Sequence, residues 1–311
     1  MNFLYIIVGL GLLVFGADWL LKASVGFSLK LKISKIIIGL TVVSIATSAP
    51  ELIVSVKAAL QGFSNIAVGN VIGSNIGNVG LILGIVLLIN SIKVSPTFYT
   101  LDWPVKIIAS FLLAFFLWFD NSISRTEGFI FLILFILFLV YLIKINKNII
   151  VELPNETTKE QTLLKLFLFL FFGGAALWLG SELLVKGAVN VAKNFGVSDR
   201  IIAITVVSMG TSIPELTSSV IAALKKESDI AIGNVIGSNI FNILGVLGIS
   251  AIISPINNID QKMIFHDLIW MLGFAVALMP LVLFTRRSSL FFKEGVLLIL
   301  AYAVFIYTSF S

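Results

Sequence analysis

The sequence predicts an all-α membrane protein, ten transmembrane helices arranged as two inverted five-helix repeats. Three observations carry this reading. Hydrophobic residues make up 59% of the 311-residue chain and charged residues only 12%, where soluble domains run at about 25% charged. Ten stretches are apolar over the roughly 17–25 residues that a bilayer crossing requires. A polar stretch inside this apolar background, 41–84, recurs as 205–248 at a constant offset of 164, with 28 identities over 44 ungapped positions.

The spans are predicted at 3–24, 34–60, 65–90, 104–120, 127–145, 163–193, 200–224, 229–254, 265–285 and 290–309. Five fall in each copy. An odd number of crossings reverses the polarity of the second copy, so the repeats are inverted, as in many transporters that bind at the midplane where interrupted helices meet. The first repeat covers 1–145 and the second 163–311. The polar stretch 146–162 between them is read as a solvated cytoplasmic linker, and its Asn155-Glu156-Thr157 sequon as chance. The N-terminal apolar segment lacks a basic leader and is read as a retained helix.

Orientation follows from the cations. With the N-terminus outside, the inner span ends hold Lys22, Lys30, Lys32, Lys35, Lys93, Lys106, Lys144, Lys147, Lys159, Lys165, Lys225, Lys226, Arg286, Arg287 and Lys293. That is 15 of the 21 Lys and Arg, against six outside: Lys57, Arg125, Lys186, Lys193, Arg200 and Lys262. The positive-inside bias therefore puts both termini outside. The net charge of +5 is spread between spans and reads as topology signal, not as a nucleic-acid surface. With no Cys, disulfides and thiolate metal sites are excluded.

The repeated stretch carries the chemistry. Thr47-Ser48-Ala49-Pro50-Glu51 is followed by Gly69-Asn70-Val71-Ile72-Gly73-Ser74-Asn75-Ile76-Gly77-Asn78. The second copy reads Thr211-Ser212-Ile213-Pro214-Glu215 and Gly233-Asn234-Val235-Ile236-Gly237-Ser238-Asn239-Ile240-Phe241-Asn242. Ionisable groups at bilayer depth are costly and face a cavity or a partner, which makes Glu51 and Glu215 functional candidates. Helical spacing puts Thr47 and Ser48 on the side of Glu51, and Ser74 and Asn75 on that of Asn78; the same holds in the second copy. Pro50 and Pro214 lack an N–H, which should free carbonyls near Ala46 and Gly210. Carboxylates, hydroxyls, amides and free carbonyls form an all-oxygen set, suited to hard cations such as Na+ and Ca2+. No His or Cys lies in these stretches, so zinc and copper do not fit.

Other features have plainer readings. The glycines at 69, 73 and 77, and at 233 and 237, are read as helix-packing faces. Asn70 and Asn234 are read as satisfying backbone near the breaks. Asp18–Lys22 and Glu182–Lys186, which correspond at the repeat offset, are read as i,i+4 ion pairs near helix ends. His266 beside Asp267 is read as interfacial, and the aromatics, 26 Phe among them, as facing lipid or the interface.

The doubled Thr-Ser-x-Pro-Glu and Gly-Asn-x-x-Gly-Ser-Asn-x-x-Asn motifs resemble the alpha repeats of the sodium/calcium exchanger family, within the cation/calcium antiporters. With the ten-span plan, the resemblance covers nearly the whole chain. It implies a five-plus-five fold whose long first and sixth helices slide across a central cation site. It implies Glu51 and Glu215 as principal ligands of Ca2+ and Na+, with Thr47, Ser48, Thr211, Ser212, Ser74 and Ser238 at Na+-coordinating positions. Asn78 and Asn242 match the remaining central pair, and the carbonyls of Ser44 and Ser208 fall at ligand positions. Proton/calcium exchangers of the superfamily usually have Asn three residues before the Glu; Ser48 and Ser212 stand there and favour Na+. Some members, prokaryotic and potassium-dependent ones included, carry Asp where Asn242 stands, so the amide here sets this chain apart.

The expected activity is export of Ca2+ against Na+ across a cell membrane, with Na+ and Ca2+ as transported ions and no cofactor. The bilayer is the expected partner; neither nucleic acid nor an obligate protein partner is implied. Proton-driven divalent exchange and a passive cation channel are the alternatives. Nothing supplies a nucleophile–base pair or cofactor motif, so an enzyme is not expected.

Overall fold

The computed structural model describes residues 2–146, 162–194, 209–283 and 289–310. They are helical apart from short connections and a two-residue ribbon, β1 (Ile92–Lys93) pairing antiparallel with β2 (Ser289–Leu290). Helix α1 is Asn2–Leu31, ending where Lys32 turns left-handed at φ 54°. The second span is bent by 48° at Ser48 into α2 (Lys35–Thr47) and α3 (Ala49–Leu60). Next come α4 (Ser64–Ile89), α5 (Phe98–Asp120), α6 (Arg125–Asn146) and α7 (Leu163–Asn194). The chain closes with α8 (Ile213–Leu224), α9 (Ser228–Ile253), α10 (Met263–Leu283) and α11 (Phe292–Phe310).

Eight of these helices are long and apolar enough to cross a membrane, and the bent α2–α3 pair makes a ninth. Of the expected span 200–224, α8 is the regular part among the described residues; linker residues 147–161, Ser208, Arg286 and Arg287 lie outside them. Pro50 and Pro214 sit in the first turns of α3 and α8, where a missing N–H costs nothing. The carboxylates one residue on, Glu51 and Glu215, therefore lie at helix N-termini, where the peptide dipoles favour negative charge.

The motif helices are central. In α4, 67% of the span window is buried and in α9 83%, against 33% in α1 and 28% in α7. Gly233 and Gly237 let α9 approach α2 at backbone distance: a Cβ on Gly237 would lie 2.5 Å from the Leu40 carbonyl oxygen. Gly69, Gly73 and Gly77 instead line a cavity of about 870 Å³, and among the described residues only the Met263 side chain presses on Gly69. Their counterparts to Ile36 and Leu40 at the repeat offset, Arg200 and Ile204, lie outside the described residues.

Helices α1 and α7 cross antiparallel on small residues. Gly9 abuts the Gly180 carbonyl and Gly16 that of Gly173. At the repeat offset Gly9 corresponds to Gly173 and Gly16 to Gly180, so each glycine meets the counterpart of the other. Asp18 pairs with Lys22 at 2.6 Å and with Lys225, tying α1 to the end of α8.

The outer helices carry an apolar belt, with Phe3, Phe115, Phe119, Phe129 and Phe171 more than half exposed. The lipid-facing reading of the aromatics holds for these but not for Phe98 and Phe131, which are fully buried core, because α5 and α6 also pack inward on the motif helices. Lys106 corrects the charge count: at 2% exposure it lies inside the protein, not at a solvated span end.

Candidate cation site

The two breaks and the two motif helices meet with crossed connections. The Ser48 hydroxyl, at the break of the first repeat, donates to Glu215 Oε1 of the second at 2.6 Å, and Ser238 Oγ lies 3.0 Å from it. In mirror fashion the Ser212 hydroxyl donates to Glu51 Oε1 at 3.3 Å, Ser74 Oγ lies 3.0 Å from Ser212, and Ser74 reaches Glu51 at 3.5 Å. Both carboxylates are fully buried. Helical spacing put Ser48 on the side of its neighbour Glu51. The bend at Ser48, with φ −87° and ψ 12°, turns its hydroxyl across the repeat boundary instead.

The asparagines close the centre. Asn75 Nδ2 donates to the Asn239 carbonyl and Asn239 Nδ2 to the Asn75 carbonyl, both at 3.3 Å; Asn242 Nδ2 donates to Asn75 Oδ1 at 3.3 Å. Asn78 and Asn242 sit where the backbone widens into π-helical turns, Asn78–Leu83 and Phe241–Leu247, a distortion that recurs at functional sites. Among the described residues, Glu51 Oε2, Glu215 Oε2, Asn78 Oδ1 and Asn242 Oδ1 are buried oxygens without a hydrogen-bond partner. Buried polar atoms are rarely left so. Four orphaned oxygens among hydroxyls form a donor set that fits hard cations.

The carbonyls are less free than the prolines suggested. Gly210 O accepts from the Ser181 hydroxyl of α7 and from Ile213 N–H. Ser44 O accepts from Ser48 N–H at 2.9 Å, and the Thr47 hydroxyl oxygen lies 3.3 Å from it. Thr47 and Thr211 point at Asn234 and Asn70. The reading of these asparagines as mere backbone partners is too narrow, since each spans the repeat boundary; the signal was the matched recurrence of Asn and Thr at one offset. The cavity lined by Gly73 and Gly77 reaches Ser212 and extends to Asn65, Asp260 and Lys262. His266, near its rim, bonds Asp267 through Nδ1 at 2.7 Å and Thr308 through Nε2 at 3.1 Å.

A family model described as sodium/calcium exchanger protein matches residues 1–144 and 165–311. The chain belongs to the sodium/calcium exchanger family. It is 38% identical to the putative antiporter CaxA of Alkalimonas amylolytica, over 99% of this chain and 98% of that protein. Its identity to the sodium/calcium exchanger MaX1 of Methanosarcina acetivorans is 30%, over 98% of this chain and 97% of that one. A solved structure of the sodium-calcium exchanger NCX_Mj, soaked with Na+ and Ca2+, superposes with a TM-score of 0.82 at 30% identity, covering 99% of this chain and 98% of that one. Membership of the exchanger family makes this chain a membrane-embedded cation antiporter.

Proposed function

We propose that this exchanger exports Ca2+ in return for Na+ by alternating access, with both cations bound between Glu51 and Glu215. The observation that carries the reading is the crossed site: two buried carboxylates, each held by a hydroxyl of the opposite repeat, around four oxygens without partners. The side chains of Thr47, Ser48, Ser74, Thr211, Ser212 and Ser238 supply neutral oxygens, Asn78 and Asn242 the amides, and the Ser44 and Ser208 carbonyls complete the set. Ca2+ takes 6–8 oxygens and its affinity rises with ligand charge, so the carboxylates dominate its binding.

Ten spans in two inverted repeats, 1–145 and 163–311, fit this mechanism. Support comes from the glycine contacts of α1 and α7, which relate equivalent residues antiparallel. Small residues leave a smooth, closely packed face along which a long helix pair can slide. In this reading the cavity ending at Asn65, Asp260 and Lys262 is the outer access route, because the cation bias puts those loops outside the cell membrane.

The test is uptake of radiolabelled Ca2+ into proteoliposomes under an imposed Na+ or proton gradient. Uptake driven by outward Na+ is expected. Uptake driven by a pH gradient without Na+ would transfer the reading to proton exchange, and flux without counter-transport would make the protein a channel.

A further inference from the structure

We infer that Asn70 and Asn234 are positioning residues for Na+ binding, each holding a threonine hydroxyl of the opposite repeat so that its lone pairs face the site. This rests on the exchange reading above and deepens it.

Asn234 is 1% exposed. Its Nδ2 donates to Ser218 Oγ and Ser219 Oγ, both at 2.9 Å, and lies 3.5 Å from the Glu215 carbonyl. Its Oδ1 accepts from the Thr47 hydroxyl at 3.1 Å. At the repeat offset the pattern recurs: Asn70 Nδ2 donates to Ser55 Oγ at 3.0 Å and to the Glu51 carbonyl at 3.3 Å, and Oδ1 accepts from the Thr211 hydroxyl at 3.2 Å. A carbonyl can only accept, so the amide nitrogen must face it and the amide oxygen must face the threonine. The carboxylate-bearing helix thus sets the orientation of the asparagine, and the asparagine sets the hydroxyl.

A threonine hydroxyl has one proton. Left to itself on a helix, it donates back to a carbonyl three or four residues earlier. For Thr47 that carbonyl is Ser44 O, already within 3.3 Å. Such a bond would consume the Ser44 carbonyl as an acceptor and swing the hydroxyl lone pairs away from the carboxylates. Asn234 Oδ1 takes the proton instead, leaving two neutral oxygens for a cation. In the exchange reading more than one Na+ replaces one Ca2+. The several Na+ shells together need more oxygens than two carboxylates supply, so Na+ binding draws more on neutral oxygens. The asparagines therefore act on Na+ more than on Ca2+.

The experiment measures Na+ and Ca2+ half-saturation of exchange in proteoliposomes for Asn234→Ala, Thr47→Val and the double variant. Asn70→Ala against Thr211→Val repeats the test at a half-buried position that tolerates truncation if Asn234→Ala does not fold. Expected is a rise in Na+ half-saturation of about five- to tenfold, the size of one hydrogen bond, with Ca2+ half-saturation moving by less than about twofold. In the threonine-to-valine background the asparagine change should add nothing, because it acts through that hydroxyl. Equal shifts for both ions, or full additivity, overturns the inference while wild-type exchange stands. Wild-type protein that moves no Ca2+ against Na+ overturns the exchange reading and the inference with it.

Discussion

Ser48 and Glu215 lie 167 positions apart and in different repeats, yet the serine hydroxyl donates to the carboxylate at 2.6 Å. Ser212 and Glu51 repeat the relationship in the other direction at 3.3 Å. Neither repeat holds a complete half-site, so a cation between the carboxylates touches both halves at once. A change at either carboxylate is therefore expected to disable the whole site.

Glu51→Gln and Glu215→Gln are each expected to abolish Ca2+ transport in a folded protein. Either change removes half the formal negative charge of the site while keeping its shape. A unit-charge pair about 4 Å apart is worth about 4 kcal/mol at an effective dielectric of 20, so Ca2+ affinity should fall by more than about a hundredfold. Near-normal vesicle uptake by either variant, with an unaltered elution profile in detergent, would refute the assignment.

The carboxylates, the prolines and the repeat were legible in the sequence because each is anomalous in apolar surroundings. Glu51 and Glu215 stand out by cost, Pro50 and Pro214 by geometry, and the 164-residue offset links them. The partners were not legible. Helical spacing relates Ser48 to Glu51, but a 48° bend redirects the side chain, and no local pattern encodes what lies across a repeat boundary. Gly9 and Gly180 escaped notice for the same reason, since they are separated by most of the first repeat and the linker. Lys106 was misplaced because span ends read from hydropathy are uncertain by about a turn.

Lys106 yields a stability prediction. Its Nζ is buried with no hydrogen-bond partner among the described residues, and an unpaired buried polar group costs stability. Lys106→Met fills the same volume without the ammonium. The expected result is a melting temperature raised by a few degrees, as about 1 kcal/mol gives for a protein of this size. A lowered value in a detergent thermal shift assay would mean that the ammonium is held by a partner.

The α2–α9 contact predicts a sharp contrast between two glycines. A methyl at Gly237 would fall 2.5 Å from Leu40 O, whereas Gly11 has nothing within 4 Å. Gly237→Ala should destabilise by about 1–3 kcal/mol, the usual cost of overpacking. Gly11→Ala should be neutral or stabilising by up to about 1 kcal/mol, from helix propensity. Equal thermal shifts for the two would show that α9 can move away from α2 freely.

Topology can be read chemically because the chain has no Cys. Both termini and the 57–65 connection are expected outside, and 146–162 in the cytoplasm, from the distribution of Lys and Arg. Removing Lys106 from the inner set leaves 14 against six, which keeps the sign. Single cysteines at Gln61 and in the linker should differ in intact cells: an impermeant thiol reagent labels the first and spares the second. Labelling of the linker would invert the assignment, and with it the side on which the cavity opens.

The charge count predicts that the exchange responds to voltage. Glu51 and Glu215 are the carboxylates at the centre of the site, because Asn78 and Asn242 are neutral amides. With both ionised, one Ca2+ balances them. The family resemblance implies three Na+ per Ca2+, which leaves one positive charge in excess. The third Na+ then binds against net positive charge and should be the weakest, making the dependence on Na+ steep. On that stoichiometry each cycle should carry one net charge inward as Na+ enters and Ca2+ leaves, and an inside-negative potential is expected to drive export. One elementary charge moved through 100 mV is worth about 2.3 kcal/mol, so the Ca2+ gradient sustained at equilibrium should change by about fiftyfold per 100 mV. With Asn at 242, no carboxylate is present there to hold K+, and transport should persist in its absence. Valinomycin-clamped proteoliposomes test the voltage dependence, and parallel Na+-driven uptake in K+-free buffers, without the ionophore, tests the second claim. Flux that ignores the imposed potential would refute the count of three Na+ charges against two carboxylates, and strict dependence on K+ would refute the reading of Asn242.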